Sequence, residues 1–146
     1  MQFNPKSIIM DGYTNYKSLN EVLQQFKGKR LYIDVWATWC GPCKAEFAHK
    51  VELLKLLQLK NIEIIYISID QVEKDKQWKE MIKYYNLEGY HIRACEELVS
   101  DLRKIFGQNG SIAIPWYMLV DENGKIIKEH AKPPSQLTEL AKEVVN

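Results

Sequence analysis

A Cys-Gly-Pro-Cys segment, Cys40–Cys43, stands between a strand-like run and a helical pattern. Before it, residues 31–36 are apolar in alternation, as in a buried strand. After it, Phe47, Val51 and Leu54 recur at helical spacing, so we expect them on one buried helix face. A Cys-x-x-Cys pair that follows a strand and opens a helix is typical of a redox site.

The other hydrophobic patterns predict strands that are connected through helices. Helical spacing recurs in 19–26, 78–85, 98–105 and 137–144, and strand-like runs occupy 62–69, 116–120 and 125–128. Asn123-Gly124 predicts a tight turn between the last two runs, and therefore an antiparallel hairpin. Strands joined through helices must run parallel. The predicted fold class is α/β, with a mixed central sheet and helices on both faces.

Length and charge restrict the function classes. The 146 residues fit one domain with a sizeable core. Lys plus Arg is 20 and Asp plus Glu is 19, and this balance argues against a nucleic-acid binder. No run approaches the ~20 apolar residues of a membrane span. Three cysteines are too few for a disulfide-stapled secreted scaffold.

The position of the two thiols predicts different roles for them. A helix start supplies unpaired N–H groups and a positive dipole end, which stabilise a thiolate. We therefore expect Cys40 to have a lowered pKa and to act as the nucleophile. Cys43, one turn inward, is then the resolving thiol, and Pro42 suits the first turn of the helix.

A zinc site is the main structural alternative for this cysteine pair. Zinc needs four ligands, and the remaining candidates are Cys95, His49, His91 and His130, which lack a zinc-ligand spacing. An inert buried pair is disfavoured as well, because Gly-Pro between the cysteines costs helix propensity without adding packing. We expect no metal and no cofactor.

Two segments resemble a known family. The run from Trp39 to Lys44, Trp-Cys-Gly-Pro-Cys-Lys, is similar to the active-site signature of the thioredoxin superfamily. The longer segments 35–47 and 114–126 resemble the TlpA/ResA branch of bacterial thiol–disulfide oxidoreductases. The resemblance extends from about residue 27 to the C-terminus. It implies a thioredoxin fold in a single domain, 1–146, with an N-terminal extension at 1–18 and a helical insertion within about 70–111.

The resemblance also implies substrate-binding residues. Pro115 occupies the position of the family's cis-proline, which faces the active-site disulfide. The backbone of Ile114 would then pair with a substrate strand. Without the resemblance, a trans proline that starts an edge strand is the favoured interpretation of Pro115. Trp39 would present a flat apolar docking surface, with Gly41 and Pro42 completing the active-site loop.

Two carboxyl groups are candidates for proton chemistry. Asp34 lies six residues before Cys40, where thioredoxins carry a buried acid that shuttles the proton of Cys43. Its alternative role is to bond nearby backbone. Glu46 lies three residues after Cys43, where the TlpA/ResA branch places a glutamate that tunes the cysteines. Its alternative is a first-turn acid that favours the helix dipole.

These residues predict a protein-disulfide oxidoreductase that works through a Cys40/Cys43 dithiol–disulfide cycle. Its expected partners are a client protein with a disulfide and an upstream thiol reductant, and the chain is expected to be a monomer. A thioredoxin-fold adaptor module is the alternative, although such modules usually lose a cysteine. A thiol peroxidase is disfavoured because it does not use this Cys-x-x-Cys turn.

The sequence leaves alternatives for the cellular compartment of the protein and for the role of its third cysteine. Residues 1–10 lack the basic and apolar regions of a signal peptide. The resemblance nevertheless suggests the bacterial periplasm or cell envelope, with the cytoplasm as the alternative. We expect Cys95 to be a small buried apolar residue, as free cysteines commonly are, rather than a third redox thiol.

Overall fold

The computed structural model describes residues 2–107 and 111–144. Its strands are Ser7–Ile9 (β1), Arg30–Trp36 (β2), Ile62–Ser68 (β3), Gly89–Arg93 (β4), Trp116–Val120 (β5) and Ile126–Lys128 (β6). They form one sheet in the order β1-β4-β3-β2-β5-β6. The pairs from β1 to β2 are parallel, whereas β5 is antiparallel to both β2 and β6. The predicted mixed sheet and C-terminal hairpin are confirmed.

Helices cover both faces of this sheet. They are Leu19–Gln24 (α1), Gly41–Glu46 (α2), Lys50–Leu59 (α3), Asp75–Tyr85 (α4), Glu96–Phe106 (α5) and Leu137–Glu143 (α6). One hydrophobic core lies under α1 and α5, and the other lies under α2, α3, α4 and α6. Because both faces are covered, every residue of β2 after Arg30 is buried.

Two strands are absent from the predicted pattern. β4 lies within 86–95, which the helical patterns on either side suggested was only a connection. Its buried residues include His91 and Arg93. These polar side chains interrupt the hydrophobic pattern from which a buried strand is predicted. β1 pairs with β4 through Ser7 and Gly89, so residues of the expected N-terminal extension form the edge of the sheet. A three-residue strand with so distant a partner leaves no periodic signal.

The helical pattern after the cysteines is broken in two. A 3₁₀ turn, Phe47–His49, separates α2 from α3 and changes the direction in which later residues point. As a result Val51 is exposed, and its predicted place on the buried face is wrong. Leu53 and Leu57 fill that face instead, whereas Leu54 is half-buried.

The middle segment, about 70–111, contains α4, β4 and α5. Residues 108–110 of this predicted insertion lie outside the described part of the chain. α4 turns Trp78 and Ile82 into the core and so caps one face of the sheet. Within 2–107 and 111–144, none of the helices has the length and apolar character that crossing a bilayer requires.

Candidate active site

The two cysteines of the Cys-Gly-Pro-Cys segment form a disulfide at the junction between the end of β2 and the start of α2. Their Cα atoms are 5.3 Å apart. Cys40 caps α2, and its Sγ accepts a hydrogen bond of 3.2 Å from the Cys43 backbone N–H. Gly41 and Pro42 are exposed, whereas Cys40 and Cys43 are 5% and 1% exposed. The same N–H is positioned to stabilise a thiolate on Cys40 when the disulfide opens.

A tight turn places Cys40 at the start of α2. The Cys40 N–H donates to the Ala37 carbonyl over 3.1 Å, which closes the turn. Trp39, within this turn, is 65% exposed. It borders a groove of about 830 Å³ whose other walls include Ile69, Val72 and Cys95. A large exposed indole beside a disulfide offers apolar contact to an approaching protein.

Sequence reasoning missed the carboxylate that holds this turn. Asp70 lies two residues after the carboxyl end of β3. Its side chain accepts hydrogen bonds from both the backbone and the hydroxyl of Thr38. β2 and β3 are parallel neighbours, so the residues that follow their carboxyl ends meet at one edge of the sheet. That topological rule is the signal that could have indicated Asp70.

Pro115 lies at the same edge of the sheet as the cysteine turn. The Ile114–Pro115 peptide bond is cis, and it directly precedes β5. The first residue of β5, Trp116, pairs with Val35 near the end of β2. Both Ile114 and Pro115 are half-buried, so part of each remains accessible. The assigned substrate-binding role of this pair remains a prediction.

Asp34 sits in the centre of the sheet beneath the site. It is 2% exposed, and its Oδ1 has no hydrogen-bond partner among the described residues. It pairs in register with Tyr66 on β3 and Tyr117 on β5. Burial raises the pKa of the Asp34 carboxyl well above its usual value, and the negative charge of Glu46 raises that pKa further. A raised pKa brings a carboxyl closer to the range in which a thiol titrates, so that a proton can pass between the two groups.

Glu46 is tied to the C-terminal part of the chain. Its two carboxylate oxygens accept hydrogen bonds of 2.8 Å from the backbone N–H and the hydroxyl of Ser135. The first-turn alternative for Glu46 is wrong, because α2 ends at this residue. Glu46 acts electrostatically on Asp34, so any influence on the cysteines can pass through that buried acid.

Cys95 stands apart from the redox pair. It is a free thiol at the N-cap of α5, half-buried rather than fully buried as expected. Its S–H donates to the Tyr16 carbonyl over 3.2 Å. Across the portion of the chain that the structure covers, no three His, Cys, Asp or Glu side chains converge as they would around a metal ion.

Known proteins share both this sequence and this fold. The Redoxin family model matches residues 14–144. The thiol-disulfide oxidoreductase ResA of Bacillus thuringiensis subsp. konkukian is 32% identical over 124 residues, which are 84% of this chain and 67% of that protein.

Two solved structures from Bacteroides vulgatus, both assigned as thiol-disulfide oxidoreductases, superpose with a TM-score of 0.63. The solution structure is 34% identical and covers 80% of this chain and 72% of its own. The crystal structure is 29% identical and covers 84% of this chain and 83% of its own. With its Cys40–Cys43 disulfide at the strand-to-helix junction, the chain belongs to the Redoxin family, as a TlpA/ResA-like thiol–disulfide oxidoreductase with the thioredoxin fold.

Proposed function

We propose that this protein reduces disulfide bonds in client proteins through its own Cys40/Cys43 pair. The observation that carries the proposal is the disulfide at the N-cap of α2, directly after the exposed Trp39. The Gly-Pro sequence between the cysteines resembles that of the reducing thioredoxins, whose potentials lie near roughly −270 mV. Electron flow from this protein to its client is therefore the favoured direction.

The cycle begins with the reduced protein. The Cys40 thiolate attacks one sulfur of the client disulfide, a mixed disulfide forms, and the first client thiolate leaves and takes up a proton. Cys43 then loses its proton and attacks the Cys40 sulfur. The second client thiolate leaves, and the Cys40–Cys43 disulfide remains. Two electrons have passed to the client, and an upstream thiol reductant returns the pair to the dithiol by the same exchange.

Asp34 is proposed to accept the proton that Cys43 must lose. Its raised pKa brings the carboxyl closer to the range of a thiol, which allows the proton to move in either direction. Glu46 is proposed to tune this step, because its negative charge favours the protonated form of Asp34. The bonds from Ser135 keep that charge in place.

Client binding is assigned to the rim of the disulfide. We propose that the Ile114 backbone beside the cis Pro115 pairs with an extended client segment and that Trp39 packs against it. The protein would work as a monomer without a cofactor, in the bacterial periplasm or cell envelope that ResA-like relatives suggest. Fractionation of cells that express the native gene tests the compartment, and a cytoplasmic pool alone contradicts it.

Insulin reduction with dithiothreitol as the electron source tests the activity. Cys40→Ser removes the nucleophile, so we expect the rate to fall to the uncatalysed level. Cys43→Ser should trap clients as mixed disulfides that dithiothreitol releases. Cys95→Ser is the matched control and should keep the wild-type rate within twofold. Full activity in Cys40→Ser contradicts the proposal, and a Cys40–Cys43 pair that dithiothreitol cannot reduce points to an adaptor module instead.

A further inference from the structure

Asp70 is a buried carboxylate that the proposed cycle does not use. It is 1% exposed and lies two residues after Ser68, the last residue of β3. Its oxygens accept from the Thr38 N–H at 3.0 and 3.1 Å, from the Thr38 hydroxyl at 2.8 Å and from the Ser68 hydroxyl at 2.5 Å. No ion pair to Asp70 exists among residues 2–107 and 111–144. The surrounding donors match an ionised carboxylate.

These bonds fasten the turn that presents the nucleophile. Thr38 follows Ala37, the residue whose carbonyl accepts from the Cys40 N–H. Asp70 thus holds the first half of the turn by backbone and side chain together, while Cys40 is held as the cap of α2. Trp39, between the two anchors, keeps its exposed position.

The charge of Asp70 acts on only one redox state of the pair. A disulfide is neutral, whereas the reduced protein carries a thiolate on Cys40. A buried negative charge near this turn disfavours the thiolate, and it is weakly screened because water is excluded. Destabilising the reduced form makes the dithiol a stronger electron donor.

We propose that Asp70 is a positioning residue of the redox turn, which orients Cys40 and Trp39 through Thr38 and keeps the cysteine pair reducing through its buried charge. This inference rests on the proposed thiol–disulfide exchange and adds a determinant of its rate and direction. A residue that follows β3 would thereby influence the redox chemistry of the cysteines that follow β2.

Asp70→Asn is the direct test, because it removes the charge at nearly constant size. In the reduced variant, the pH midpoint for alkylation of Cys40 by iodoacetamide should fall. The equilibrium with glutathione should shift at least threefold toward the dithiol, and insulin reduction should slow at least fivefold. Asp75→Asn is the matched control. Asp75 is a carboxylate that accepts hydrogen bonds from Arg93 and Tyr13 and not from Thr38, so all three readouts should stay within twofold or unshifted.

A second pair of variants keeps the charge and changes only the anchor. Thr38→Val removes the hydroxyl that Asp70 accepts from and should slow insulin reduction at least threefold. Thr38→Ser keeps that hydroxyl and should retain the wild-type rate within twofold. If Asp70→Asn does not fold, the two Thr38 variants provide the test. Equal rates of insulin reduction in Thr38→Val and Thr38→Ser then overturn the proposal.

A folded Asp70→Asn with the wild-type alkylation midpoint and glutathione equilibrium overturns the proposal directly. Both readouts are made on this chain alone and require no client. They therefore report on the turn even if insulin reduction fails, and failure of the proposed function is distinguishable from failure of this inference.

Discussion

Asp34 shows how one residue can be costly to the fold and useful to the site. It lies on the central strand, between Tyr66 and Tyr117 on the neighbouring strands, and its Oδ1 has no hydrogen-bond partner within 2–107 and 111–144. Burying an acid in such surroundings disfavours its charged form. The folded state therefore holds a proton on Asp34 at pH values where the unfolded chain has lost it.

This difference predicts how stability depends on pH. Below about pH 4 the acid is protonated in both states and contributes nothing. As pH rises further, the unfolded chain loses this proton first, so the free energy of unfolding falls until the raised folded-state pKa is passed. Asp34→Asn removes the effect and should raise the free energy of unfolding at pH 7 by about 1–3 kcal/mol.

Urea unfolding from pH 4 to pH 9 measures this dependence. The exposed Asp11→Asn is the control and should change stability by less than about 0.5 kcal/mol. Equal pH profiles for wild type and Asp34→Asn contradict the assignment. If Asp34 is also the proton acceptor, release of client from the mixed disulfide should be slowed in Asp34→Asn while attack by Cys40 persists.

Among the elements, α3 depends most on tertiary context. The 3₁₀ turn Phe47–His49 sets its rotational phase, so residues two positions apart meet different surroundings. Leu57 is 1% exposed in the core, whereas Leu59 is 82% exposed. The two residues have the same side chain and lie on the same helix, but they differ in how deeply they are buried.

The pair predicts unequal costs of truncation. Leu57→Ala should lower the free energy of unfolding by about 2–5 kcal/mol, because it leaves a cavity in the core under α3. Leu59→Ala should change it by less than about 0.5 kcal/mol. Urea titration of both variants checks this, and similar losses would show that the phase of α3 is not the one described.

For the whole molecule, stability comes from two cores rather than from the disulfide. Helices bury one core on each face of the six-stranded sheet. The Cys40–Cys43 bond closes a loop with a sequence separation of only 3. So short a loop removes little entropy from the unfolded chain, and the bond is free to open during turnover without loss of the fold.

Reduction should therefore cost little stability. We expect dithiothreitol to lower the free energy of unfolding by about 2 kcal/mol and to leave the far-ultraviolet circular dichroism unchanged. The double variant Cys40→Ser/Cys43→Ser should match the reduced wild type and should not respond to dithiothreitol. If the protein unfolds upon reduction, the conclusion that its two hydrophobic cores stabilise the fold without the disulfide is contradicted.

Local patterns were sufficient to predict most elements of the fold. Alternation and helical spacing indicated the central strands and the covering helices, and Asn123-Gly124 indicated the hairpin. They failed at β1 and β4, where pairing with distant strands, and not local preference, makes the strand: β1 pairs with β4, and β4 pairs with both β1 and β3. They also failed at Val51, because spacing gives no information about where a 3₁₀ turn resets a helix.

The amino-acid sequence by itself determined the chemistry, since two thiols with two residues between them at a strand-to-helix junction can form and break one disulfide. Only the tertiary structure decided what surrounds them. It buried Asp34 in the central strand, bonded Glu46 to Ser135 and brought Asp70 onto the turn. These contacts join residues far apart in the chain, and they form only when parallel strands and packed helices bring the segments together.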